Sequence, residues 1–177
     1  MQRKHKILII VGCIVLAMAL AGVATWYFWV LIDPVQKQTG SVIVQKEVLH
    51  LFFPLSATKL GRRTLEVRAD APDKERAELI LRELKKQKIL PSGVQLREIA
   101  VGVDGVLYLN LSRGLMETQA GVSSEIMMIY SLVNSFITSF KDTRQVQLLF
   151  EGQPAYTIRG VVYTYLPLEF NRELLED

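Results

Sequence analysis

A single cysteine and two histidines are all that this sequence offers of thiol and imidazole chemistry. Cys13 lies in an uncharged stretch near the amino terminus. The rest of the chain therefore has no intramolecular disulfide and no cysteine-containing zinc site. His5 precedes that stretch, which leaves His50 as the one histidine beyond it. Glycine-rich phosphate loops, a G-x-S-x-G elbow and an H-E-x-x-H helix are all missing, so no cofactor and no metal is expected. His50 has no carboxylate partner nearby in sequence, and a general base needs an oriented one. The expectation is a structural histidine, no catalytic residues and no enzyme. A hydrolase using His50 with a distant carboxylate stands as an alternative.

Acidic residues are also absent before Asp33, and the feature behind that absence is the longest apolar run in the chain. Residues 7–32 carry no charge, with Arg3, Lys4 and Lys6 directly in front. As a helix the run is about 39 Å long, against about 30 Å of bilayer hydrocarbon. Basic residues flanking such a span stay in the cytoplasm, and Trp26, Tyr27, Phe28 and Trp29 suit the opposite headgroup layer. Residues 1–6 thus read as a cytoplasmic tail and 7–32 as a single-pass transmembrane anchor in the cell membrane, with the carboxyl-terminal part extracytoplasmic.

Two rival readings use the same stretch. Ala19-Leu20-Ala21 resembles a signal-peptide cleavage site, but the apolar run continues to Ile32. Ile10-Val11-Gly12-Cys13 resembles a lipoprotein box, but its apolar core is too short. The uncleaved anchor fits better, with Cys13 facing lipid or packing against a helix.

The anchor also explains the charge. The chain has 21 Lys and Arg against 18 Asp and Glu. Since three of the bases precede the anchor, everything after it is balanced. The pI near 9.0 is therefore a topology signal and gives no support for nucleic acid as a partner.

Residues 33–46 read as a linker with Pro34 and Gly40, 47–170 as one domain, and 171–177 as a tail. Glu47–Pro54 and Thr64–Arg68 alternate as strands. Asp70 is placed to cap a helix with Pro72 in its first turn, and Ala77, Ile80, Leu81, Leu84 and Lys88 follow helical spacing. Asp104-Gly105 predicts a hairpin between strands over 95–102 and 106–111. Ser123 or Ser124 can cap a second helix, whose stripe is Ile126, Tyr130, Val133, Ile137 and Phe140. Strands follow over 146–150 and 156–166, with a turn at Glu151-Gly152 and a bulge expected at Gly160. The class is α+β: two helices packed on one face of a mostly antiparallel sheet. The pairs Arg62-Arg63 and Lys85-Lys86 read as solvated faces.

From Gly121 onward the residues form a recognisable combination. Gly121-Val122-Ser123-Ser124-Glu125 opens a helix that continues as Ser131-Leu132-Val133-Asn134-Ser135-Phe136. Val146-Gln147-Leu148-Leu149-Phe150-Glu151-Gly152-Gln153-Pro154 and Ile158-Arg159-Gly160 follow. Upstream, Leu51-Phe52-Phe53-Pro54 and Val106-Leu107-Tyr108-Leu109-Asn110-Leu111-Ser112 complete the pattern. Together they resemble the GerMN domain, the sporulation and spore germination module named for its occurrence in GerM.

That resemblance covers about residues 47–170. It implies a non-enzymatic envelope protein whose fold is similar to ring-building modules of spore and secretion assemblies. Two departures stand out: one domain copy where GerM-like proteins can carry two, and a transmembrane in place of a lipid anchor. Among the matching residues Glu125, Asn134 and Gln153 are the binding candidates. Each also has a structural reading, as a charge at a helix start, a satisfied buried amide and a turn residue. The function expected is an interaction or scaffold module at the envelope, docking another envelope protein or a copy of itself. The alternative is a ligand-binding domain for a cell-wall fragment, with a cleft near Glu125 and Gln153.

Overall fold

The computed structural model describes residues 18–29, 45–117 and 122–176. The chain divides into two units, Met1–Ile43 and Val44–Asp177. In the first, α1 covers residues 18–29 and leaves Trp26, Tyr27, Phe28 and Trp29 exposed. The Thr25 hydroxyl donates back to the carbonyls of Ala21 and Gly22, so its polar group is satisfied within the helix. Among the described residues no helix is long and apolar enough to cross a membrane. The remainder of the expected 7–32 anchor, with residues 1–6 and nearly all of the linker, lies outside the described residues.

The second unit begins with β1 (Lys46–Pro54) and β2 (Leu60–Arg68), an antiparallel hairpin in register from Lys46↔Arg68 to Pro54↔Leu60. β2 starts four residues before the alternation of Thr64–Arg68, because pairing with β1 orders Arg62 and Arg63 as well. Helix α2 (Asp73–Lys86) buries Ala77, Ile80, Leu81 and Leu84. Pro72, not Asp70, stands at its N-cap and makes no side-chain cap bond. Arg76 reaches back instead, donating to the carbonyls of Ala69 and Ala71 and pairing with Glu47. The helix stops at Lys86, and Lys88, expected within it, has φ +58°.

A four-stranded sheet follows, with spatial order β3-β4-β5-β6. β3 (Leu96–Val101) and β4 (Val106–Leu111) form the expected hairpin around Gly105, whose φ is +80°. After a 3₁₀ turn at Arg113–Leu115, helix α3 (Val122–Ser139) crosses over to β5 (Gln145–Phe150). Because of that crossover β5 lies parallel to β4, with Leu109 opposite Leu148. Ser123 and Ser124, expected as caps, fall inside the first turn of α3. β6 is only Leu168–Glu169 and pairs antiparallel with β5.

The fold is α+β with mostly antiparallel pairing, but the strands form two sheets instead of one. The reason lies on α3. The edge of β1 that faces away from β2 meets this helix: the amide of Phe52 donates to Ser135 Oγ at 2.8 Å and that of His50 to Ser139 Oγ at 2.9 Å. Ser139 Oγ returns a bond to the His50 carbonyl. Hydroxyls spaced one helical turn apart thus stand where a neighbouring strand would, and the hairpin cannot join the other sheet.

The apolar stripe of α3 fills the core. Ile129, Leu132, Val133 and Phe136 pack with Leu107, Leu109, Val146 and Leu148, all fully buried. Each such side chain stabilises the fold by about 1.5–3 kcal/mol. A smaller cluster joins Phe52, Leu60 and Met127 to Phe170, Leu174 and Leu175. Residues 171–176, within the expected tail, are therefore docked: the Leu60 amide donates to Leu174 and the Glu176 amide to Leu60.

The expected strand over 156–166 is not formed. Thr157 and Tyr163 make one isolated bridge, and the segment otherwise curls.

Two substitutions probe this architecture. Ser135→Ala leaves the buried Phe52 amide without a partner and should cost about 2 kcal/mol in urea unfolding, whereas Thr138→Ala on the exposed side should cost less than about 0.5 kcal/mol. Gly105→Ala forces a side chain onto positive φ, 3.1 Å from the Asp142 carbonyl oxygen, and should cost about 1–2 kcal/mol.

Candidate functional site

Glu125 enters α3 in the first turn, as the sequence suggests, but its carboxylate is turned inward and is only 1 % exposed. Oε1 accepts the amides of Arg159, Val161 and Val162 at 3.1, 3.4 and 3.3 Å. Gly160, at φ +96°, lets the backbone reverse so that these amides converge, an anion-binding nest closed on the chain's own carboxylate. This is why residues 156–166 are not a strand. Amides aimed at one oxygen cannot also form a ladder.

Asn134 is fully buried and clamps Asn171: Nδ2 donates to its carbonyl and Oδ1 accepts its amide, both at 3.0 Å. Gln153 is different. It is exposed, in the tight turn where Glu151 and Gly152 have φ +48° and +82°. Its side chain borders a cavity of ≈330 Å³ with Arg113, Met116, Glu117 and Phe150. The turn also holds an exposed pair, Arg97 with Glu151, whose hydrogen bond keeps the Glu151 carboxyl below its ordinary value.

The structure thus does not bring the three candidates together. Glu125 and Asn134 hold backbone, while Gln153 borders a cavity that Glu125 does not line. His50 is tied to α3 through its main chain, and its buried Nδ1 has no partner. Among the described residues it forms no ion pair with Asp or Glu, so the hydrolase reading lacks the oriented carboxylate it needs.

The loop held by Glu125 presents the most conspicuous surface of the domain. Tyr156, Tyr163 and Tyr165 are 68 %, 51 % and 39 % exposed. Rings 156 and 165 stack at 4.7 Å and 10°, with ring 163 at 6.4 and 6.3 Å from the two. Thr164 between them points inward and is completely buried. Its hydroxyl donates to Ala155, its amide to Tyr156, and its carbonyl accepts from the Gln147 side chain. No motif in the sequence marks these tyrosines as a surface. The period-2 pattern Tyr163-Thr164-Tyr165 puts both rings on one face, but nothing in it says that this face is the outer one.

Glu125→Ala removes the acceptor shared by three amides and should lower stability by about 3 kcal/mol, with Glu125→Gln between it and the wild type because a neutral oxygen accepts more weakly. Hydrogen exchange at residues 159–162 should quicken in the same order.

The sequence matches the family model named Germane, described as sporulation and spore germination, over residues 50–156. No curated protein matches it. Among solved structures, 72 % of the chain superposes on the first GerMN domain of the sporulation protein GerM from Bacillus subtilis, with a TM-score of 0.51, 16 % identity and 98 % of that chain covered. The tandem GerMN domains of the same protein give a TM-score of 0.54 at 13 % identity. There the chain spans 47 % of the other's length, as one domain against two should. These identities show a shared fold, while the family match extends over more than half of the sequence. The chain belongs to the Germane, or GerMN, family of sporulation and spore germination domains.

Proposed function

We propose that the protein is a membrane-anchored interaction module of the cell envelope. Its GerMN domain stands outside the cytoplasmic membrane and docks an envelope protein, or a second copy of itself, through the tyrosine platform. The observation that carries this reading is the cluster of Tyr156, Tyr163 and Tyr165. Large rings exposed side by side on a braced loop bury much area at little entropic cost, since the loop is already ordered. Family membership supports a role connected with sporulation or germination. The uncharged stretch over 7–32, behind three basic residues, supports the anchor and its orientation. Tethering in a membrane raises the effective concentration of the domain, so that even modest affinity gives occupancy.

The test is photo-crosslinking in membranes from a benzoylphenylalanine placed at position 156 of the full chain. A discrete adduct containing one envelope protein, or a dimer of the chain, is expected. Tyr163→Ser with Tyr165→Ser should weaken capture by about 30-fold or more while the unfolding midpoint stays unchanged. Capture of monomer alone under varied conditions would remove the docking reading. An adduct with cell-wall material would transfer the platform to the ligand-binding alternative.

A further inference from the structure

The carboxyl end of α2 and the first turns of α3 border a cleft of ≈640 Å³, distinct from the tyrosine platform. Lys85, Lys86, Lys88 and Arg159 line it with Ser124 and Met128, and among the described residues no Asp or Glu does. In the sequence these cations are a pair, a single residue and a distant arginine. Only the fold collects them, because the nest on Glu125 fixes Arg159 at this place. The Arg159 guanidinium is steadied further by a bond from Nη2 to the Leu115 carbonyl at 3.2 Å.

Lys86 has a partner in Glu83 at 2.6 Å, a hydrogen bond that holds the Glu83 carboxyl below its ordinary value with help from Arg63 and Arg82. Lys85, Lys88 and Arg159 form no ion pair among the described residues. Lysines in a last helical turn do offset the carbonyl end of the macrodipole, which accounts for Lys85 and Lys86. It accounts for neither Lys88, beyond the helix, nor Arg159, on another segment. Like charges lining one concave wall repel one another and focus a positive field into the cleft.

We propose that this cleft binds a phosphate group. Arg159 supplies a fixed guanidinium, Lys85 and Lys88 mobile ammonium groups, and Ser124 a hydroxyl beside the amino end of α3. The chemistry is that of a phosphomonoester or phosphodiester, carried either by a soluble or polymeric ligand or by an anionic lipid headgroup. The site is independent of protein docking at the tyrosines.

The test uses the full chain in phosphatidylcholine nanodiscs, titrated calorimetrically with inorganic pyrophosphate at constant ionic strength. Saturable binding is expected, weakened more than about tenfold by Lys85→Gln with Lys88→Gln. Lys141→Gln, a basic residue lining a different cavity, and Tyr163→Ser with Tyr165→Ser should each bind as the wild type does. Repeating the titration in nanodiscs containing phosphatidylglycerol separates the sources. Weaker apparent binding there assigns the site to lipid headgroups, and unchanged binding assigns it to a soluble or polymeric phosphate. The proposal falls if the wild type shows no saturable binding, if the double lysine variant binds as tightly, or if Lys141→Gln weakens binding as much.

Discussion

Helix α3 is apolar along most of its buried surface, yet it also takes Glu125, Asn134, Ser135 and Ser139 out of water. Each of these side chains binds the backbone of an element remote in sequence: the loop at 159–162, Asn171, and β1 at positions 52 and 50. A buried amide without a partner costs about 1–3 kcal/mol, so these bonds specify geometry more than they add net stability. Two of the serines sit one turn apart, at the spacing that meets alternate residues of an extended strand. Glu125 does more than a hydroxyl can, because one charged oxygen gathers three amides.

Both proposed surfaces, the tyrosine platform and the basic cleft, depend on that helix. The Glu125 nest sets the path of the chain from Arg159 to Val162. Arg159 then turns its side chain to the basic cleft, while the residues that follow carry Tyr163 and Tyr165 outward. Thr164 and Gln147 pin the same loop to β5. A segment with almost no regular secondary structure is thus held by side chains in place of a ladder.

Much of the domain could be read from the sequence. The alternation in β1, the Asp104-Gly105 turn, the helical stripe of α2 and the strand before Glu151-Gly152 follow from local periodicity and turn chemistry, which act over a few residues. On α3, by contrast, the buried face is turned toward Ile129, Leu132 and Phe136, leaving Ile126, Tyr130 and Ile137 half-buried. Periodicity failed where long-range polar bonds decide. Residues 156–166 alternate well enough for a strand, but their amides were claimed by a carboxylate some 35 positions away. Ser135 and Ser139 carry no sign that they replace a strand edge. Glu125 and Asn134 stand among the residues that match the family pattern and read there as binding candidates. Their partners proved to be the chain's own backbone, a distinction that no single sequence reveals. Lys85, Lys88 and Arg159 could not be grouped before the crossing of two elements was known.

The serine contacts on β1 also bear on how copies of this domain can meet. An unpaired strand edge is the commonest template for joining one sheet to another, and it tends to propagate. At positions 50 and 52 of β1 that template is taken by Ser139 and Ser135, and at the start of β2 residues 174–176 occupy it. The rest of β2 presents Arg62, Arg63 and Glu66, charges that oppose a flat hydrophobic neighbour. Association at these positions therefore proceeds by side-chain faces with a defined stoichiometry, and an open-ended sheet running from molecule to molecule is disfavoured there.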